Sequence, residues 1–233
     1  MPTKNESEIC SVLSVNSRWS ILMFLRRTRK AYDVNELAKE VGLHPNVVRY
    51  HLNHLERIGV TKSFLKRERK LGKPRKLYML SGKYVKVEFP QRQFMLLSDL
   101  LCELCTRLLP RDELKQHALD LGREIGRKWM KLEEDKKNIK RWTIDECADS
   151  VINILSGLGL DPELLYIEEK GFSWQARNCI FYEASKKHPE FVCSFHIGIL
   201  EGLTKHALGR AKVELPERFA TGDDVCRVIV KKA

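Results

Sequence analysis

Three of the chain's seven cysteines, Cys179, Cys193 and Cys226, fall close to its end. A thiolate is a soft ligand suited to zinc or an iron–sulfur cluster, and three thiolates with one further donor would complete a site. His196 stands one helical turn beyond Cys193 and is the candidate fourth ligand, ahead of His188 and Cys147. Each cysteine could equally be a small buried hydrophobe, the usual fate of an isolated one. Cys102 and Cys105 form a C-x2-C pair with no second pair to make a zinc ribbon, so they read as core residues of an apolar helix.

A second set of polar residues lies near the start of the chain, in HPNVVRYHLNHLER. Val48, Leu52 and Leu55 recur at helical spacing, which leaves Asn46, Arg49, Tyr50 and Asn53 on the opposite side. On a helix in the major groove, Arg49 could contact guanine through two hydrogen bonds, and Asn46 or Asn53 could do the same to adenine. Tyr50 suits a phosphate or a methyl group. His51 and His54 read as packing or phosphate-binding residues rather than metal ligands.

The elements that position these side chains can be read from local signals. Asp33 and Glu36 have capping-box spacing at the start of one short helix. Gly42 permits a turn, His44 stands at the next N-cap and Pro45 suits the first position of a second helix. Ile21, Leu22 and Leu25 place an earlier helix over residues 17 to 27, after a loosely structured start over residues 1 to 15. Two β-like runs, Val60 to Leu65 and Lys76 to Leu80, flank a basic loop carrying Lys66, Arg67, Arg69, Lys70, Lys73 and Arg75. The order is helix, helix, helix and two-stranded wing, a winged helix-turn-helix.

Charge separates this segment from the rest. Residues 1 to 90 hold 19 Lys/Arg against 8 Asp/Glu, a balance of +11, whereas residues 91 to 233 hold 23 of each. Double-stranded DNA is the polyanion such a domain would meet, with affinity falling steeply as salt rises. An anionic membrane surface fits less well, because the basic residues do not lie on an amphipathic helix with an apolar face.

After a Pro-ended junction, Phe94, Leu97, Leu101, Leu104 and Leu108 repeat every three or four residues and predict a linker helix over residues 91 to 109, expected to join two subunits as a homodimer. Leu114, Ala118, Leu121, Ile125 and Trp129 mark one side of a charged helix over Arg111 to Lys137. A helix from Asp145, strands over Pro162 to Glu168 and Phe172 to Phe181, a helix from Pro189, and strands over Ala211 to Arg218 and Asp224 to Val230 complete an α+β half with an antiparallel sheet. The expected domains are 1 to 90, a linker helix over 91 to 110, and 111 to 233.

RWSILMFLRR, NELAKEVGLHPNVVRYHLNHLERIGV and GKPRKLYML together resemble the DNA-binding domain of ArsR-type winged-helix transcription regulators. The similar features are the Leu-Ala pair (Leu37, Ala38), the His-Leu pair (His51, Leu52) and the wing return with Gly72, Pro74, Tyr78 and Leu80. His44 departs from the Ser or Thr more usual there. The C-terminal pattern around HPEFVC and GDDVC is similar to the sensor region of SufR-like regulators, with a weaker similarity to 4-vinyl-reductase-like domains. The first likeness implies an iron–sulfur cluster on Cys179, Cys193 and Cys226, with no matching fourth cysteine; the second implies a small apolar ligand.

The function expected is therefore a DNA-binding transcription regulator that senses iron–sulfur or redox status, with zinc or no metal as the other cofactor states. The alternative is a regulator gated by a small organic ligand in an apolar C-terminal pocket. No Gly-rich phosphate loop, G-x-S-x-G elbow or H-E-x-x-H pattern is present, so an enzyme is not expected. The absence of a secretory-type start and of a long apolar run makes a cytoplasmic protein the expectation.

Overall fold

A computed structural model describes residues 6–28, 30–67, 74–82, 85, 87, 90 and 92–232. The chain divides into two compact units, Met1–Arg92 and Gln93–Ala233. Antiparallel sheets and helices occur in both, so the class is α+β.

The first unit contains helices α1 (Glu6–Leu13), α2 (Asn16–Thr28), α3 (Val34–Val41) and α4 (Pro45–Arg57), then strands β1 (Thr61–Lys66) and β2 (Arg75–Leu80). Of the loose start expected for residues 1 to 15, residues 1 to 5 lie outside the described residues and Glu6–Leu13 form helix α1. Its Val12 is buried in the unit's core and its Glu8 pairs with Arg57 of α4 at 2.7 Å. Short polar helices of this length gain stability from such docking rather than from propensity. Strands β1 and β2 pair with Thr61 opposite Leu80 and Lys66 opposite Arg75, and Tyr32 adds a bridge to Tyr78. Ile21, Leu25, Leu37, Val48, Leu52 and Leu55 are fully buried together.

The Asp33–Glu36 capping box forms as its spacing indicates: Glu36 N–H donates to Asp33 at 2.9 Å and Asp33 N–H donates to Glu36 at 2.8 Å. Gly42 ends α3 at φ 66°, where a side chain would be strained. Burial works to raise the Asp33 carboxyl, but the N–H groups of Glu36 and Asn35 and the Arg75 guanidinium outweigh it and hold the carboxyl below its ordinary value. The stabilisation this implies is complete above the unfolded value near pH 3.9 and is lost as pH falls through the depressed folded one. Asp33→Ala should therefore cost about 1 kcal/mol at pH 7. In urea unfolding the gap to wild type should shrink at pH 3; a gap that widens on acidification would contradict this account of the cap.

The second unit begins with α5 (Phe94–Leu108), followed by α6 (Arg111–Lys137), α7 (Ile144–Gly157), β3 (Pro162–Glu168), β4 (Gly171–Ala176), α8 (Tyr182–Lys187), α9 (Pro189–Leu208), β5 (Ala211–Glu217), a 3₁₀ turn (Phe219–Thr221) and β6 (Cys226–Lys232). Strand order is β3-β4-β6-β5, antiparallel throughout. Strand β4 stops at Ala176, five residues short of the run expected to Phe181, and the following residues turn toward α8. Phe172, Trp174, Val228 and Val230 from the central strands meet Val151 and Leu155 of α7 and Leu200 and Leu203 of α9 in one core.

Helix α6 lies against α9, and of the five apolar residues counted for its inward side four are placed as expected: Leu114 and Ala118 are buried, and Ile125 and Trp129 pack partly buried against the core. Leu121 is 53% exposed, and the buried residues are Leu114, Ala118, Gly122, Gly126 and Met130. Gly122 and Gly126 face Gly198 and Gly202 of α9, and the two backbones approach too closely for side chains on either.

Candidate functional site

Four residues that the sequence separates widely line one pocket in the second unit. Cys179 lies in the loop after β4, Cys193 and His196 are one turn apart on α9, and Cys226 opens β6. Phe181, Ser185, Val192, Leu215, Arg218 and Phe219 contribute most of the remaining wall. The cavity is about 20 Å³, room for about one water molecule.

Burial governs the chemistry of the wall. It pushes the Cys226 thiol up to about 11, against the opposing effect of the Phe219 N–H, which donates to Cys226 Sγ at 3.4 Å. Burial also raises Cys179 and Cys193, and the proximity of Cys179 adds to the rise at Cys193. The His196 ring is driven down to about 4 by burial, and its Nε2 is enclosed with no hydrogen-bond partner. The Phe181 ring meets it edge-on with centroids 5.9 Å apart. At neutral pH the pocket therefore holds three neutral thiols and a neutral imidazole among aromatic and aliphatic groups, with the Arg218 side chain in the same wall opposing the rise at Cys193 and Cys226.

The residue types fit a soft metal, and the orphaned His196 Nε2 is the kind of donor such a site would use. Their arrangement does not close on an ion: among the described residues, no group of three or more His, Cys, Asp or Glu side chains is placed to hold one. The cavity is also smaller than a multi-iron cluster. Of the weaker candidates, Cys147 is fully buried in the core, with its thiol pushed up to about 12 by burial, and His188 lies at the start of α9 outside the pocket wall. Phe181, Ser185, Leu215, Arg218 and Phe219 carried no sequence signal as lining residues, because only the folding of β5, β6 and α8 around α9 assembles them.

In the first unit, Asn46, Arg49, Tyr50 and Asn53 are all exposed along α4, while Val48, Leu52 and Leu55 are fully buried beneath them. The His44 ring accepts from Asn46 N–H at 3.2 Å and caps the helix. Arg49 donates to Asn46 Oδ1 at 2.9 Å. Tyr50 packs edge-on against His54, with centroids 4.5 Å apart, and the Arg18 guanidinium lies 5.9 Å from the Tyr50 ring centre. Buried Arg18 donates to His51 Nδ1 at 3.3 Å and to the Val12 carbonyl at 3.2 Å, so it ties α1 and α2 to α4.

On the hairpin, Lys62, Lys66 and Arg67 are exposed. Arg75 is engaged differently from the free wing cation expected: it pairs with Asp33 and, at 2.9 Å, with Glu36. Arg69, Lys70 and Lys73 lie outside the described residues. Val47, 41% exposed on the same helix, was not singled out by sequence and adds an apolar contact to the polar face.

No family model matches the chain, and no curated protein matches it. Among solved structures, a trafficking protein particle complex subunit 3 from Naegleria fowleri, covalently bound to palmitic acid, is 14% identical with a TM-score of 0.45, over 60% of this chain and 92% of that one. The phenol-responsive sensory domain of the transcription activator PoxR with phenol is 16% identical with a TM-score of 0.45, over 79% of this chain and 89% of that one. Among the described residues, no helix is long and apolar enough to cross a membrane.

Proposed function

We propose that the chain is a sequence-reading DNA-binding protein built on a winged helix-turn-helix. More specifically, it is a transcription regulator whose effector acts at the thiol-lined pocket of the second unit. The observation that carries the first statement is the two-sided character of α4. Asn46, Arg49, Tyr50 and Asn53 are exposed above a fully buried seam, within the part of the chain that holds its entire charge excess. A polar helix face beside a basic hairpin is the surface that reads base edges while cations hold phosphates.

Arg49→Ala should cost about 1–3 kcal/mol at one base pair of the operator and little at the others. Arg67→Ala should weaken all duplexes alike and reduce the salt slope by about one. Competition binding with single-base operator variants separates the two, and a uniform loss for Arg49→Ala would remove it as a base reader.

For the effector, a mainly aromatic and aliphatic wall that also carries the Arg218 side chain favours a small, largely apolar organic molecule, which must widen the present cavity to enter. A second reading is kept by a specific observation, the unpartnered His196 Nε2 beside three thiols: a zinc ion or an iron–sulfur cluster that draws Cys179, Cys193, Cys226 and His196 together. A bound cation would itself offset the cost of deprotonating buried thiols.

Anaerobically purified full-length protein decides between them. The organic reading predicts no stoichiometric iron, zinc or sulfide, and a melting temperature that rises with one class in a panel of small aromatic and aliphatic compounds, by about 2.7 kcal/mol of stabilisation at a hundredfold excess over Kd. Stoichiometric metal, lost in both Cys179→Ser and Cys226→Ser, selects the metal reading. A protein with no metal, no ligand response and DNA binding indifferent to Cys226→Ser overturns the pocket as effector site.

A further inference from the structure

Two short pieces of chain close one side of the thiol pocket. Helix α8 brings Ser185 to the wall, with Phe181 immediately before it, and the 3₁₀ turn brings Phe219 and Ala220. Where the two pieces meet, the Tyr182 and Phe219 rings stand edge-on with centroids 6.1 Å apart. Phe219 lines the pocket, whereas Tyr182 is outside its wall and 41% exposed, so this aromatic pair joins the wall to the surface. The two pieces are held unequally. The Asp223 carboxylate accepts from the Arg218 N–H at 2.8 Å and from the Thr221 hydroxyl at 2.9 Å, and the Phe219 N–H reaches Cys226, so the turn is fixed to the start of β6. Helix α8 has six residues and no side-chain cap at its start. A helix that short depends on its tertiary contacts. Those contacts include the Tyr182–Phe219 pair and an ion pair of Lys187 with Asp99 of α5, which is open to solvent and of the kind that contributes little.

We infer that α8 is the gate of the thiol pocket, and that it opens by parting Tyr182 from Phe219 while the 3₁₀ turn stays in place. At about 20 Å³ the cavity admits nothing larger than water unless part of its wall moves. Local opening uses the segments with the weakest attachments, and on this side of the pocket that segment is α8. The Tyr182 N–H donates to the Cys179 carbonyl at 3.2 Å, so movement of α8 pulls directly on the loop that carries one of the thiols. The same movement separates Lys187 from Asp99, which passes the state of the pocket to α5 at the front of the second unit. That an effector uses this gate rests on the effector reading above; the gate itself concerns access to the thiols and stands without that reading.

The test is the rate at which each cysteine of the full-length protein is alkylated by N-ethylmaleimide at pH 7, read by peptide mass spectrometry. Two cysteines serve as internal references: Cys10 is exposed and Cys147 is fully buried in the core. In wild type, Cys179, Cys193 and Cys226 should react more slowly than Cys10 and faster than Cys147. Tyr182→Ala removes the latch without touching the pocket wall, and should speed all three by about two- to tenfold, the change in open population that loss of one aromatic pair allows. Cys10 and Cys147 should keep their rates. Tyr182→Phe retains the ring and should react as wild type, and Lys187→Ala added to Tyr182→Ala should be faster again. Pocket rates unchanged in Tyr182→Ala overturn the gate. So does a rise shared by Cys147, which would mean unfolding of the whole unit, and so do pocket thiols that match Cys10 in wild type, which would mean that nothing is closed. These rates are read without an effector, so their failure is separate from failure of the ligand panel.

Discussion

Gly126→Leu is expected to prevent the second unit from folding. A Cβ at position 126 would stand 2.1 Å from the Ile199 carbonyl oxygen and 2.9 Å from the Leu203 nitrogen, and one at Gly202 would stand 2.3 Å from the Arg123 carbonyl. These neighbours are backbone atoms, which cannot rotate aside as a side chain does. Helices α6 and α9 would have to separate. Leu200 and Leu203 of α9 belong to the same core as Met130 of α6, Trp174 and Phe172, so separation opens that core. Ordinary overpacking costs about 1–3 kcal/mol, and displacement of a central helix pair exceeds that, against a total stability of about 5–15 kcal/mol. Gly157→Ala is the matched control, since nothing lies within 4 Å of a Cβ there and helix propensity favours alanine. Thermal melts followed by circular dichroism should show the Gly126→Leu transition lost or lowered by tens of degrees. A melt within two or three degrees of wild type would contradict the close packing of the two helices.

Leu52→Ala should cost about 2–5 kcal/mol, the range for deleting a fully buried leucine. Leu52 has no exposed surface and sits among Ile21, Leu25, Leu37, Val48 and Leu55, with a second layer of partly buried side chains around them. On the proposed DNA-binding role, affinity should fall for every duplex alike, because α4 loses its seat rather than a contact. Arg49→Ala, three residues earlier and on the exposed side, should leave the melting temperature within a degree or two and change only sequence preference. Equal destabilisation by the two substitutions would mean that α4 does not present the faces described.

What could be read from the sequence follows the range of the forces involved. The Asp33–Glu36 box and the His44–Pro45 start of α4 were legible because capping is decided within four residues. The buried seam of α4 was legible because its apolar residues are large. The inward face of α6 was legible at Leu114, Ala118, Ile125 and Trp129 and misread at one position for the converse reason: Gly122 and Gly126 mark the contact by lacking side chains, so a count of apolar groups adds Leu121, which faces water. Helix α1 was missed because its burial rests on Val12 and on docking against α2 and α4. The grouping of Cys179, Cys193, His196 and Cys226 was an expectation from residue chemistry, and the fold brings the four to one cavity. Its aromatic wall, its small volume and the neutrality of its thiols depend on long-range packing that no local spacing encodes. Arg75 shows the same limit, since composition marks it as a wing cation while Asp33 and Glu36, some forty residues earlier, engage it.

The central claim, that α4 and the hairpin read duplex DNA, is tested most directly by selection of bound duplexes from a random pool with the full-length protein, followed by anisotropy titration of the enriched sequence across salt. The account predicts a defined motif, with log affinity falling linearly against log salt and a slope reflecting several released counterions. Failure to enrich any motif, with no duplex binding at low salt, would contradict it.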